Sequence, residues 1–488
     1  MTQLRPRRAL PAALLAAASL VPLSAAPETP REMWFGMYVG DMKMGHLTIR
    51  AESVRFRGSD ALKTSSSART EMVLLGTRMS QDIGTTAYCD LKGRPVYEEF
   101  RVSSGGKTTE VFAEVGKDSI ECRMVTAAGA TQKTIPVPTG TVLVGDSYTP
   151  TLQDRPVVGA KHERMAFNPL TLALEELTIE VLREETIEHE GKRVSAVVVR
   201  TVSPTADMTA WHSPDGADIY RIEAPMGIVM RREPKEKAAG APSGGYQPPG
   251  DFAVVTSVRP DVTLPPDRPL ASLKIRLSGI PDASFAIADE RQKIVAQAAG
   301  PPRTVTYQIT ARAPSPASAG TLPVKAPAFK TWLQPDPYAN SDDPAIVREA
   351  RRMVGGEKNI VKAAEKIRLG VRALMTSDSS MGVLRPASDV LKNPSGVCRD
   401  YAILFTALAR AAGIPARPVG GFTLSRGSFY YHAWAEVWTG REWMAQDSTL
   451  PAAAVDASHI KLTQGDATSM FAIAKVAGQL KAEILEFR

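Results

Sequence analysis

Cysteine is scarce in this chain of 488 residues: three, at positions 89, 122 and 398. Histidine is scarce as well, with six, and none stands in the H-E-x-x-H spacing that holds a catalytic zinc. No acidic loop of the calcium-binding kind is present. Neither a metal nor an organic cofactor is therefore expected. A large excess of one charge is also lacking. Fifty-nine Lys and Arg against 52 Asp and Glu leave a formal +7, and three of those charges, Arg5, Arg7 and Arg8, fall at the extreme N-terminus. No basic stripe interleaved with aromatics appears, which argues against a nucleic-acid partner. Beyond Ala9–Leu23, no apolar run approaches the ~18 residues a membrane-spanning helix needs, so no such helix is expected in the mature chain.

What is present at the N-terminus is a basic start, an apolar stretch of a length too short to span a bilayer, and the small residues Ser24, Ala25 and Ala26. Residues 1–26 thus read as a cleaved secretory signal peptide, and the protein as periplasmic or secreted. In an oxidising compartment an odd cysteine count flags a free thiol. Cys89 and Cys122 lie in one N-terminal region and could pair, which would leave Cys398 alone.

The chain is too long for one core, and its plentiful Pro and Gly (37 and 36) favour strands and turns over a helical bundle. The fold class expected is α+β. Residues 27–265 read as a β-rich domain, a curved antiparallel sheet. Strands are expected at Trp34–Val39, Gly45–Ala51, Arg193–Val202, Met208–His212, Ala217–Ala224 and Gly227–Arg232, with Phe252–Arg259 as another. Pro234–Gly250 reads as a flexible loop. Residues 266–325 read as a small β-subdomain, or an extension of the first sheet, ending in a Pro-rich linker, Ala313–Ala328, expected to be extended and solvated. From 326 to 488 helices enter. Asp343-Pro344 caps one that ends at Gly355-Gly356. Another spans about Asn359–Leu374, and a third runs from Cys398 to Ala412 and stops at Gly413. Strands Ala416–Thr423, Tyr430–Thr439 and Glu442–Asp447 follow, the last two joined by a tight turn at Gly440-Arg441.

Three residues of this C-terminal part carry chemistry when taken together. Cys398 opens a helix, where unpaired amides and the helix dipole favour a thiolate and can stabilise an oxyanion. His432 sits on a strand whose one face holds His432, Trp434, Glu436 and Trp438, a rigid place for a general base. Asp447 ends the next strand, where a carboxylate can hold the imidazole's second N–H. Taken singly, each has a blander reading: a buried structural cysteine, a satisfied strand histidine, a turn aspartate. Arg417 reads as a structural ion-pair partner, Asp400 as a complement to the helix's positive end, and the three tryptophans as core or cleft wall. Trp332 and Asn393 are candidates for a second oxyanion donor.

The segments GVCRDYAILFTALARAAGIPARPVGGF, HAWAEVW and GREWMAQDST resemble the core of the transglutaminase-like superfamily. That resemblance implies a papain-like fold with catalytic residues Cys398 as nucleophile, His432 as base and Asp447 as orienting acid. It also implies thiol-dependent acyl transfer on amide bonds, with a protein or peptide substrate, whether by hydrolysis or by transfer to an amine. Ser448 departs from the proline many relatives carry, at a turn. The competing reading is a non-catalytic periplasmic carrier that works through its β-rich domain. The stretch WHSPDGADIYRIEAPMGIVMRRE bears a faint resemblance to periplasmic lipoprotein carriers.

Overall fold

The structure is a computed structural model. It describes residues 30–488 except 75, 146–154, 241–250, 266–267, 314, 379–382, 452–454 and 467–468. The expected leader, residues 1–26, lies outside the described residues. Among the described residues no helix is long and apolar enough to cross a membrane. The chain divides into two compact units, with the break at Phe252/Ala253.

The first unit is built on a single 15-stranded sheet. Strand Arg31–Val39 sits at its middle, paired antiparallel with Met42–Phe56 on one side and Ile228–Arg232 on the other. From there successive hairpins run outward in both directions, so neighbours in sequence are neighbours in the sheet. All pairings are antiparallel except Leu143–Val144 with Lys161–Asn168. The sheet curls enough for its two halves to share one core. Phe35, Leu47, Ile49 and Met72 from one half join Ile179, Val197, Val199 and Ile222 from the other. Alternation of buried and exposed residues along Thr77–Cys89 and Lys107–Val115 is the period-two pattern that puts every second side chain into this core.

Two expectations fail here. Phe252–Val255 is a single helical turn rather than a strand, and Lys235–Ala239 is helical where a loop was expected. The remainder of the expected loop, 241–250, lies outside the described residues. The suggested pairing of Cys89 with Cys122 is also excluded by topology. Cys89 ends strand Thr77–Cys89, Cys122 lies in Ser119–Thr126, and two strands stand between them. Three inter-strand spacings are roughly 14 Å, against the 4.4–6.8 Å between Cα atoms that a disulfide permits. All three cysteines are free. Burial pushes the Cys89 thiol up to about 12 and the Cys122 thiol to about 11. Thiol titration of the mature, unreduced protein is therefore expected to give three thiols in denaturant. Under native conditions only Cys398, the one not fully buried, should react readily. Fewer than three thiols in denaturant would contradict this arrangement.

The second unit carries two four-stranded sheets and the longer helices. One sheet orders Gln292–Ala298, Arg303–Thr310, Ser272–Ile280 and Lys481–Phe487. The strands expected at 266–312 thus take their fourth partner from the C-terminus of the chain. The other sheet orders Trp443–Gln446, Ser428–Trp438, Ala416–Ser425 and Ile460–Gln464, all antiparallel. Phe422, Phe429, Ile460 and Leu462 of this second sheet share a core with Leu273, Ile275, Val305 and Tyr307 of the first.

Helix Pro344–Val354 begins as expected, with the Asp343 carboxylate accepting from the amides of Ala345 and Ile346. Helix Ile360–Leu374 is capped by Asn359. Helix Cys398–Ala411 is buried along nearly its whole length, and Ile403, Leu404, Phe405 and Leu408 are fully covered. Each such side chain contributes about 1.5–3 kcal/mol relative to exposure. The helix packs on strands Ser428–Trp438 and Ala416–Ser425. Gly413, at φ +81°, turns the chain out of it into the sheet. The Pro-rich segment after Thr310 is exposed but not free. Gly320 N donates to Thr439 O, Leu322 N to Lys358 O and Val324 N to Gly413 O. It is a strap bonded across the domain, not a solvated linker.

Candidate active site

The loop before Cys398 is fixed from behind. Arg385, 1% exposed, donates to Asn393 O, Ser395 O and the Asp400 carboxylate. Asp400 also accepts from Val397 N at 3.0 Å, closing the first turn of the helix. A Cβ on Gly396 would lie 2.5 Å from the Asp400 carboxylate, so glycine is required where the chain passes this ion pair. A short parallel bridge, Thr376 to Ser395 and Ser377 to Gly396, holds the loop's outer side. Cys398 is the first residue of the helix that follows, half-buried, with its thiol hydrogen-bonded to the imidazole of His432.

His432 is in the middle of strand Ser428–Trp438. The hairpin register pairs Ala435 with Gln446, so the next position, Asp447, falls opposite Trp434, one side chain along the same face from His432. The result is a contact of 2.7 Å between His432 Nε2 and Asp447 Oδ2. A carboxylate oxygen only accepts, so Nε2 carries the proton and Nδ1 is the nitrogen left for the sulfur. Burial by itself would lower the pKa of His432. The Asp447 carboxylate, and after it the Cys398 sulfur, outweigh burial and raise it to about 10. Asp447 is buried, which alone would raise its pKa, but His432 and then His459 hold it well below the usual carboxylate range.

Thr449 supplies the opposite side of this carboxylate. Its amide and its hydroxyl both donate to Asp447 Oδ1, at 2.8 and 2.6 Å. The turn that carries Asp447 is anchored in turn by Arg368, 1% exposed, which donates to Leu450 O at 2.8 Å. Ser448 sits in this turn, away from the hydrogen bonds that hold Asp447.

The structure brings one further residue into the site that the sequence reading passed over. His459 precedes strand Ile460–Gln464, two strands away from His432, with Ala416–Ser425 between. Gly421 is the residue of the middle strand opposite His432. A Cβ there would lie 2.0 Å from Ile460 O and 2.9 Å from the Trp434 ring. Because it has none, side chains from the outer strands converge over it. The His432 and His459 rings lie 5.6 Å apart and Trp434 packs against both. His459 Nε2 reaches Asp447 Oδ2 at 3.3 Å. The Gly-Gly pair in PVGGF, in the centre of a predicted strand, was the sequence signal for this convergence. The donor atoms of His432, Asp447 and His459 lie within 4.8 Å of one another. In this structure each of the three is engaged by hydrogen bonds inside the group.

The other candidates have structural partners. Arg417 makes a two-point contact with Glu436, at 3.0 and 2.8 Å, and its guanidinium lies 3.8 Å from the Trp443 ring centre. Glu436 also accepts from the fully buried Lys461 at 2.8 Å, so it ties strands together. Trp332 packs edge-on against Trp443, and Asn393 uses its carbonyl on Arg385 and Ser395. Neither contact marks them as oxyanion donors.

The sequence model of the transglutaminase-like superfamily matches residues 348–448. Residues 348–448 are thus similar to the transglutaminase-like superfamily. The matched span takes in Cys398, His432 and Asp447 but stops before His459. A second family, described as a protein of unknown function (DUF3108), matches residues 35–230, nearly the whole 15-stranded sheet. No curated protein matches the sequence. Among solved structures, a candidate cysteine protease from Cytophaga hutchinsonii is similar at 19% identity, over 45% of this chain and 85% of its own, with a TM-score of 0.33. A β-barrel-like protein of a domain of unknown function (DUF1849) from Brucella abortus is similar at 12% identity, over 43% of this chain and 97% of its own, with a TM-score of 0.31. A candidate protease from Parabacteroides distasonis is similar at 11% identity over 80% of this chain and 69% of its own, with a TM-score of 0.20.

Proposed function

We propose that the C-terminal domain is a cysteine enzyme that transfers acyl groups from amide bonds, with Cys398, His432 and Asp447 as its catalytic residues. The observation that supports this best is the unbroken chain of contacts from the Cys398 thiol through the imidazole to a carboxylate held on both sides. In the first half-reaction the Cys398 sulfur attacks the carbonyl carbon and the C–N bond breaks. The proton on His432 Nδ1 goes to the departing amine, and a thioester remains on Cys398. In the second, His432 takes a proton from the incoming water or amine as it attacks the thioester, and the thiol is restored. Asp447 keeps Nε2 protonated, so Nδ1 is the atom that gives and takes the proton in both halves. Amides at the start of helix Cys398–Ala411 are placed to stabilise the tetrahedral oxyanion.

Water is the default acceptor, so hydrolysis of protein or peptide amides is the favoured outcome. The leader-like N-terminus points to an exported protein, and hence to cell-envelope proteins or peptides as substrates. The test uses the mature protein and a Cys398→Ala control, incubated with envelope material in heavy-oxygen water with a labelled amine present. Cys398-dependent oxygen label in the products is expected. Amine label instead would make the enzyme a transferase, and no Cys398-dependent label in either channel would sink the proposal.

A further inference from the structure

Away from Cys398, three ionisable side chains meet inside the second unit. Lys461 is the second residue of strand Ile460–Gln464, and its side chain is fully buried. Its Nζ contacts Asp289 Oδ2 and lies 2.8 Å from Glu436 Oε1. The Asp289 and Glu436 side chains are only 10% and 3% exposed. Asp289 stands in the turn before strand Gln292–Ala298, in the other sheet, 172 residues upstream of Lys461 (461 − 289). That turn is docked onto the Lys461 segment at several points. Gln292 Nε2 donates to Lys461 O at 2.8 Å, and Lys461 N donates back to Gln292 Oε1 at 2.9 Å. Arg291 donates to the carbonyls of Asp456 and His459. An amine and a carboxylate are thus held in contact by their own backbones, in a place that keeps out bulk water.

Each oxygen around the amine has a separate partner. Asp289 Oδ1 accepts from the amides of Arg291 and Gln292, at 2.8 and 2.6 Å, and Oδ2 is left to the amine. Glu436 Oε2 is taken by Arg417, while Oε1 faces Lys461. A charged pair this deep carries a desolvation penalty, whereas an amide in its place carries no charge. An amide also fits the hydrogen bonds already present. Its oxygen is Oδ1, which has two N–H donors, and its single N–H points to Glu436 Oε1.

We propose that Lys461 and Asp289 condense spontaneously into an isopeptide bond, with Glu436 as the proton carrier. The reaction releases one water and needs no oxidant or other reactant. One proton passes from Nζ by way of Glu436 Oε1 to Asp289 Oδ2, which frees the lone pair of the amine and makes Oδ2 a hydroxyl. Nζ then attacks Asp289 Cγ, and the charge that builds on Oδ1 is stabilised by its two amides. A second Nζ proton joins Oδ2 as the Cγ–Oδ2 bond breaks, and water leaves. The third proton stays on the new amide. The starting state is an ion pair: burial alone would raise the pKa of Asp289, but Lys461 holds it below the usual carboxylate range. Transfer inside the pair brings no net charge into the site, and the fixed contact gives the amine the high effective concentration of an intramolecular reaction. The bond joins the turn of one sheet to a strand of the other. In a chain whose three cysteines are free, it is a covalent crosslink made without a disulfide. It does not depend on Cys398.

The test is mass spectrometry of the full mature chain in denaturant with reductant. The unaltered chain should be lighter than its sequence by one water. Its proteolytic digest should contain a branched peptide joining the segments of Asp289 and Lys461. Lys461→Arg should have its full mass and no branched peptide, and Glu436→Gln, checked for folding by thermal melting, should lose the link. The link should form equally in Cys398→Ala. A full-mass unaltered chain with linear peptides at both positions would overturn the proposal, whether or not a variant folds. So would a water loss that maps elsewhere, such as a succinimide at another aspartate. A link absent from Cys398→Ala would overturn its spontaneous origin, and one retained in folded Glu436→Gln would overturn the role of Glu436.

Discussion

Replacing His432 by glutamine should lower amide turnover by about 10⁴-fold or more while leaving the fold in place, because nucleophile and base act as one unit. Glutamine can hydrogen-bond Asp447 through its side-chain amide, so the carboxylate keeps a donor and the strand keeps its packing. It cannot carry a proton between the sulfur and the leaving amine. The same substitution has a signature in stability. The folded His432 titrates near 10 against 6.5 for an unperturbed imidazole. A histidine raised in this way stabilises the folded chain fully below pH 6.5, and that contribution disappears as the pH rises through about 10. Denaturant midpoints measured across this window should fall in the unaltered protein and fall less in His432→Gln. An unchanged turnover, or identical pH dependence of the two proteins, would contradict the assignment of the base.

Asp447→Asn should cost about 10⁴-fold in turnover, an effect of the size seen when the acid of a hydrolytic triad becomes an amide. An asparagine oxygen can still face Thr449, but its NH₂ then faces His432 Nε2. That nitrogen must become an acceptor, Nδ1 takes the proton, and the imidazole presents the wrong tautomer to the sulfur. The pH profile supplies the sign. Burial alone lowers the pKa of His432, and it is the Asp447 carboxylate that overcomes this. Without it the alkaline limb of whatever activity remains should move down from about 10 toward neutrality. Asp447→Ala should be worse for folding, since it strands the donors of His432, His459 and Thr449 in a buried place. A loss of about 3–5 kcal/mol is the usual cost of removing one partner from such a group. The linkage of Asp447 itself runs the other way from that of His432. Its folded pKa is depressed, so its contribution is present above the ordinary carboxylate value of 3.8 and is lost as the pH falls below it. An Asp447→Asn enzyme with near-normal turnover would remove the carboxylate from the mechanism.

Much of this was legible in the residues. Asp343-Pro344, Asn359 and Gly413 mark the ends of helices that the structure places within a residue or two of where the caps put them. Period-two alternation located the strands that carry His432 and Asp447. What escaped was non-local. Strand Lys481–Phe487 has its partner, Ser272–Ile280, some two hundred residues upstream, and nothing in either segment names the other. Phe252–Val255 is apolar and β-branched enough to read as a strand, yet it is too short for periodicity to decide. The suggested Cys89–Cys122 bridge relied on proximity in sequence, whereas a meandering sheet separates residues 33 apart by whole strands. His459 was invisible because its role depends on a glycine in a neighbouring strand that lets three side chains meet.

The central claim is that His432 activates the Cys398 sulfur, and the rate at which iodoacetamide alkylates Cys398 at neutral pH reads it most directly. Cys89 and Cys122 are buried with raised pKa values and should not interfere. In the unaltered mature protein Cys398 should react much faster than a model peptide thiol, and in His432→Gln it should fall back to the model rate. Equal rates in the two proteins would contradict the account.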